Sequence, residues 1–255
     1  MAYDICTYMN SIPCVGGYAL RVPRVYPAIP EWTIRVRMAN AGDAPWPKYP
    51  GVTITRLYDD EDVYDVTYVN EDWTRLLDAH ETPTRHKIGE VLGSNTTGVT
   101  NMTYLFDSQT ELTSVTGLTT QNVTSFQGTF ISCYELSSID LFDTSNATNI
   151  TEMFESCLSI RQLPLFDTSK VTTMLDFCMN CRSLTLVPLF ATGRVVDMNY
   201  AFYNCQKVKY GAYALYRQAS SQTTPPSNHN STFRYCGIGT SSGSSQLDMI
   251  PADWK

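Results

Sequence analysis

The chain has 255 residues, of which 43% are apolar and 17% charged, and this suits a globular core in one large domain or two modest ones. Its 25 acidic residues outnumber the 18 Lys and Arg, so the charge argues against a broad phosphate-binding surface for nucleic acid. No run approaches the roughly 18 apolar residues that a spanning helix needs, and we expect no membrane insertion. Residues 1–5 lack the basic and apolar stretches of a secretory signal, which predicts a chain without one.

The sequence pattern of residues 1–92 predicts a small β-rich module that begins with an extended arm rich in proline and aromatic residues. Three segments are predicted strands, the first two because polar and apolar residues alternate along them. They are Thr33–Met38, Val52–Leu57 and Val63–Val69. Trp73–Asp78 predicts a short helix that Asp72 is placed to cap. We expect this module to attach to a partner and to cap the repeats that follow.

The main candidates for metal or acid–base chemistry are an acidic run and three histidines. Residues 59–62, with Asp65, offer oxygen ligands for Ca²⁺, but their spacing differs from D-x-D-x-D-G and favours an exposed hairpin turn. The histidines His80, His86 and His229 are scattered and have no matching nucleophile, which favours solvated loop positions. We therefore predict no catalytic residue, no metal and no cofactor, and a protein that is not an enzyme.

Five segments of residues 99–205 are equivalent, because their starting residues follow one another at intervals of 24. They begin at Val99, Val123, Ala147, Val171 and Val195. Equivalent positions share their character: the eighth position is phenylalanine in four copies, and the eleventh is cysteine in four. A fixed period of this kind indicates repeats that stack and bury one continuous core.

Within one copy the apolar spacing changes from helical to strand-like. Apolar residues at i, i+3, i+4 and i+7 form one helical face. In the third copy they are Ile150, Met153, Phe154 and Cys157. An L-x-x-L-x-L rhythm over residues 160–165 then predicts a strand, and residues 166–169 a polar turn. The predicted fold class is α+β, a leucine-rich-repeat solenoid of five 24-residue coils over residues 93–211, followed by a C-terminal cap at residues 212–255 that begins with a helix.

The repeated phrase resembles that of the BspA-like leucine-rich-repeat surface proteins. Asn146–Cys157 and Leu163–Ser169 carry the resemblance, which covers about residues 93–211. Two copies depart from the phrase, with Phe177–Cys178 in place of Met-Phe and Gln109 in the cysteine position. The short form with an acidic N-terminal module is most similar to the phage-borne members of the family.

The resemblance implies a non-enzymatic bacteriophage virion surface protein, a capsid decoration or fibre component that displays the repeats for protein–protein or host-surface contact. It implies other virion proteins as partners, with a second copy of the chain and a host receptor or glycan as further candidates, and no nucleic acid. A bacterial cell-surface adhesin module is the alternative, located on the cell instead of the virion. A polysaccharide depolymerase is disfavoured, because the acidic residues Asp107, Glu111, Glu135, Glu155 and Asp176 do not share one position of the repeat.

Four cysteines recur at intervals of 24 residues and predict a ladder of buried, reduced thiols. They are Cys133, Cys157, Cys181 and Cys205. Neighbouring members would lie about 4.8 Å apart, the spacing of adjacent strands. Cys178 and Cys181 form a C-x-x-C, but without a second pair or a nearby histidine a zinc or redox role is disfavoured.

Phenylalanines at three equivalent positions leave two alternatives open. Strict alternation from the preceding leucines would expose them as a stacked binding strip, whereas a bulge at the turn would bury them, which is favoured because exposed aromatic rows are uncommon. They are Phe142, Phe166 and Phe190, with Leu141, Leu165 and Leu189 before them. The other outward positions predict a flat docking face of small and varied side chains. They include Ser138, Gln162, Leu186 and Asp140.

Overall fold

The alternating residues 33–38 form a strand, as the sequence predicts, in a computed structural model that describes residues 26–44, 52–58, 61–68 and 88–255. The strands are β1 Thr33–Met38, β2 Thr53–Tyr58, β3 Glu61–Thr67, β4 Ile88–Asn95, β5 Ser114–Val115 and β6 Ser138–Ile139. They form a six-stranded sheet in the order β2-β3-β1-β4-β5-β6. The helices α1 Ala212–Ser220 and α2 Ser241–Asp248 follow, and then the 3-10 turn Ala252–Trp254.

β1 lies between β3 and β4 and is antiparallel to both, whereas β4, β5 and β6 are parallel to one another. Arg35 of β1 and Asp65 of β3 form a buried ion pair, in which Nε and Nη2 donate to the two carboxylate oxygens at 2.7 and 2.8 Å. Nη1 donates to the backbone oxygen of Pro27 at 2.9 Å and so holds the segment before β1. Because Asp65 is buried in this pair, it is not part of an exposed acidic turn.

The predicted leucine-rich-repeat solenoid of helix-and-strand coils is wrong. The described residues form a mixed six-stranded sheet with two short helices, and both helices begin after residue 211. Residues 150–157 form turns where a helix is predicted, and no strand is present over residues 160–165. The i, i+3, i+4 spacing does not distinguish a helix from a run of tight turns, because both bring residues three apart onto one side.

Backbone hydrogen bonds explain why these residues form turns. Four residues of the first copy donate their N–H groups to the second copy at 2.8–2.9 Å. The donors are Met102, Tyr104, Phe106 and Ser108, and the acceptors are the carbonyl groups of Ser125, Gln127, Thr129 and Ile131. Between them, Leu105 and Asp107 donate to the third residue before them at 3.2 Å. Tyr104 and Ser108 adopt φ of 57° and 60°, so alternate N–H groups point towards the next copy and an α-helical bond pattern cannot form.

The same backbone geometry recurs in the following copies. Positive φ is found at the equivalent residues Gly128, Ser132, Glu152, Ser156, Asp176, Asn180, Tyr200 and Asn204. Parallel bridges join equivalent residues of successive copies, namely Asn101–Ser125, Ser125–Asn149, Asn149–Thr173 and Thr173–Asp197. In the core, the rings of Phe106, Phe130 and Phe154 stack with centroids 5.5 Å apart. The 24-residue period of the sequence therefore corresponds to hydrogen-bonded and stacked neighbours.

A sixth equivalent segment, which the sequence reasoning missed, lies in the C-terminal region. Asn228 forms a parallel bridge with Asp197, 31 residues before it. Four N–H groups of the fifth copy donate to this segment at 2.7–3.1 Å, in the pattern of the first two copies. Ser231 and Tyr235 have positive φ, and the Phe233 ring stacks on Phe202 at 5.9 Å. The segment was hidden because α1 is inserted before it and lengthens the spacing.

The predicted domain boundaries at 92/93 and 211/212 stay predictions. β4, Ile88–Asn95, crosses the first of them and pairs with β1 on one side and β5 on the other. Several sequence predictions fall outside the described residues. They are the N-terminal arm up to residue 25, the helix Trp73–Asp78, the acidic residues Asp59 and Asp60, and His80 and His86.

Candidate interaction surface

The outward positions predicted from the sequence lie on the surface. Ser138, Gln162, Leu186 and Asp140 are all exposed. Ser138 belongs to β6, and Leu186 is bridged in parallel to Tyr210, which is also exposed. Their role as a docking face stays a prediction, and their exposure on the surface is compatible with that role.

The three phenylalanines of the predicted aromatic row are buried, so the exposed strip is not formed and the second alternative holds. Phe142, Phe166 and Phe190 are 6%, 4% and 0% exposed. The leucines before them point outwards instead: Leu141, Leu165 and Leu189 are 65%, 62% and 53% exposed. A tight turn causes the change of side, because the N–H of Phe166 donates to the carbonyl of Pro164 at 3.0 Å and that of Phe190 to Pro188 at 3.0 Å.

Leu141, Leu165 and Leu189 are hereafter the leucine row, and the first two of them lie beside fixed negative charges. The Asp143 carboxylate accepts the N–H of Ser145 at 2.8 Å, and Asp167 accepts that of Ser169 at 2.9 Å. Hydrogen bonds from the serine side chains and N–H groups hold the pKa of both carboxyls below the usual value, so both are ionised at neutral pH. A shallow cavity of about 430 Å³ opens between these groups. Its lining residues are Leu141, Phe142, Asp143, Thr144, Ser145, Leu165 and Asp167.

The cysteine positions of the repeats are buried, and each thiol donates to a carbonyl group of the preceding copy at 3.0–3.2 Å. These donors are Cys133, Cys157, Cys181 and Cys205. Burial raises the pKa of Cys157, Cys178 and Cys205 well above the usual value. These thiols are therefore neutral, whereas nucleophilic attack and metal binding need the thiolate.

Gln109 occupies the cysteine position of the first copy for a structural reason. Its side chain is buried, and its Oε1 accepts the backbone N–H of Ile88 at 3.0 Å. Ile88 begins β4, so the amide side chain connects the sheet to the first copy. A thiol is a weaker acceptor and is too short to make this contact.

The turns bring three carboxylates together: Glu152 and Asp176, which are equivalent residues of successive copies, and Glu155. Burial, followed by the charges of Asp176 and Glu152, raises the pKa of Glu155 to about 7. Burial, followed by the charges of Glu152 and Asp197, raises the pKa of Asp176 to about 6. Glu152 accepts a hydrogen bond from the Tyr104 hydroxyl at 3.0 Å. The sequence reasoning missed this cluster, although the 24-residue spacing of Glu152 and Asp176 is a signal that could have found it.

His229 is half-buried, which corrects the prediction of a solvated loop position. Its ring stacks on Trp254 with centroids 4.3 Å apart, and Nε2 lies 3.4 Å from the Asp253 carboxylate. Nδ1 contacts the carbonyl oxygen of Pro226 at 2.9 Å. These contacts give His229 a place in the C-terminal packing. Across the residues that the structure describes, no group of three or more His, Cys, Asp and Glu is arranged to hold a metal ion.

The comparisons with known proteins connect the repeats to one family. In the described part of the chain, α1 and α2 are too short to cross a membrane. No curated protein and no solved structure matches the chain. Residues 78–187 match the family described as Mycoplasma protein of unknown function, DUF285, a repeat family related to the BspA-like surface proteins.

Proposed function

We propose that the chain is a non-enzymatic surface protein of a bacteriophage virion, a capsid decoration or fibre component that uses its repeats for protein–protein or host-surface contact. The observation that carries this proposal is the leucine row. Three large apolar side chains, each more than half exposed, lie at equivalent positions of successive copies. Contiguous apolar surface of this kind marks interaction sites in soluble proteins.

The backbone around the leucine row supports the proposal, because it is held in one conformation before any partner binds. The hydroxyl of Thr120, which is buried, donates to the backbone oxygen of Asp143 at 2.6 Å. Thr144 donates in the same way to Asp167 at 2.9 Å. A surface fixed in advance loses little conformational entropy on binding, which favours contact with a partner.

Replacement of the leucine row tests the proposal. Particles are purified by density gradient from cells that express either the wild-type chain or the variant Leu141→Gln, Leu165→Gln, Leu189→Gln. We expect the wild-type chain to sediment with the particles and the variant to be depleted from them at least about tenfold, a loss of about 1.4 kcal/mol. Val196→Gln is the matched control, since Val196 is an exposed apolar residue outside the row. A triple variant retained at the wild-type level would contradict the proposal.

A bacterial cell-surface adhesin module is the second candidate, and the family match favours it, since that family is described from Mycoplasma. The two candidates differ in where the chain is found. An adhesin stays with the cell envelope and is cut by protease added to intact cells, whereas a virion protein sediments with particles. The same gradient therefore decides between them.

A further inference from the structure

We propose that the leucine row binds the C-terminal end of a second copy of this chain, so that copies join end to side. This inference rests on the proposed contact function and names its partner. The C-terminal end is defined here as residues 206–255, in which Gly239 and Gln246 are hydrogen-bonded to the backbone of Gln206 and Lys209. Each copy carries both surfaces, the leucine row and the C-terminal end. The two surfaces differ in charge.

The leucine row presents apolar side chains in an acidic setting. Asp140, Asp143 and Asp167 are exposed beside it, and residues 99–205 contain ten acidic residues against four basic ones. The charge of Lys170 acts on Asp143 and Asp167, and its Nζ donates to Asn146 at 2.7 Å. A partner for this surface must supply both apolar side chains and positive charge.

The C-terminal end supplies both. Ile238 and Met249 are 48% and 51% exposed. Residues 206–255 contain five basic and two acidic residues, the reverse of the repeats. Lys255 lies at the end of α2, where its Nζ donates to the carbonyl of Leu247 at 3.0 Å, two residues before Met249. An apolar anchor and a cation are thus adjacent in the same end.

Charge also disfavours the pairing of two leucine rows with each other. A row-to-row dimer would bring Asp143 and Asp167 of one copy against the same carboxylates of the other. Like charges brought together in an interface disfavour that arrangement. When the leucine row of one copy binds the C-terminal end of another, the pair still has one free leucine row and one free C-terminal end. Further copies can therefore add to both ends of the pair.

Two variants, each blocked at one surface, test the inference by mixing. Leu165→Glu blocks the row, and Ile238→Glu with Met249→Glu blocks the end. The mass of the protein species in solution is measured by sedimentation and light scattering at chain concentrations up to about 100 μM. This range detects complexes with dissociation constants weaker than micromolar. We expect the wild-type mass to rise with concentration and to fall with added salt. We expect each variant alone to remain monomeric, because its self-association is weakened at least about tenfold. The mixture of the two variants should form a one-to-one dimer without larger species.

The outcomes separate this inference from the proposed function. A wild-type chain that stays monomeric at about 100 μM overturns the inference, as does a mixture that stays monomeric or an end-blocked variant that dimerises by itself. If the triple glutamine variant is nevertheless lost from particles, the leucine row binds another protein and the proposed function stands. Circular dichroism and urea unfolding of both variants check that the fold is kept; all three substituted side chains are exposed.

Discussion

Glu155 makes the protein less stable as the pH rises towards neutrality. Its half-buried carboxyl lies near Asp176 and Glu152, and burial together with these charges raises its pKa from 4.5 to about 7. Between these two values the folded state keeps a proton that the unfolded chain releases. The contribution of Glu155 to the free energy of unfolding is therefore fully present below pH 4.5 and falls as the pH rises to about 7.

The size of this effect follows from the two pKa values. Without screening, a change of the pKa from 4.5 to about 7 is equivalent to about 3 kcal/mol. Because the side chain is only half-buried, solvent screening reduces the expected effect to about 1–2 kcal/mol. Glu155→Gln removes the titration, so the variant should gain about 1–2 kcal/mol over the wild type at pH 8 and almost nothing at about pH 4.5.

Urea unfolding at a series of pH values from about 4.5 to 8 measures this difference. Subtraction of the two profiles leaves the titration of Glu155 together with its coupling to Asp176, whose charge contributes to the raised pKa of Glu155. Asp167→Asn is the control, since the pKa of Asp167 is lowered, and its stabilising effect is lost only as the pH falls through that lowered pKa. Its difference profile should be flat over the same range. A flat profile for Glu155→Gln as well would refute the reasoning.

Four substitutions test the packing of the repeats and of α2. Phe154→Ala removes a fully buried ring stacked in the phenylalanine column and should lower the free energy of unfolding in urea by about 3–5 kcal/mol. Gly243→Ala should cost more than about 2 kcal/mol by the same measurement, because its Cβ would lie 2.1 Å from a backbone oxygen; Gly193→Ala, with open space around it, should be neutral or slightly stabilising. Gln109→Ala leaves the N–H of Ile88 without its acceptor and should cost about 1–3 kcal/mol, with faster amide exchange at Ile88. Wild-type stability and exchange in this last variant would show that the contact is dispensable.

The parts of the fold that the sequence predicted correctly depend on local side-chain pattern. Alternation in residues 33–38 correctly indicates β1, although the structure buries the polar face of this strand as well, with Arg35 in its ion pair with Asp65. The predicted helix at the start of the C-terminal region is α1, Ala212–Ser220. The period of 24 correctly indicated which residues are neighbours, because equivalent positions face the same environment in every copy.

Local side-chain pattern did not predict the turn conformation of the repeats or the outward direction of the leucine side chains. Glu152 and Ser156 of the third copy adopt positive φ, although neither residue type favours that region; at equivalent positions Gly128, Asn180 and Asn204 do favour it, but they do not recur in every copy. Leu165 and Phe166 are both apolar, and alternation alone would place the leucine inside. The turn closed by the Pro164 carbonyl reverses this order and buries the larger ring.

By itself, then, the sequence determined the spacing of the copies, the strand β1 and the buried cysteine positions, because burial selects residue types that repeat with the structure. Only the tertiary structure decided that the repeats are turns, that a sixth segment follows α1, and that leucines face outwards beside ionised aspartates. The physical reason is that backbone N–H groups donate between copies, and the direction of those bonds is set by the neighbouring copy and not by the local residues.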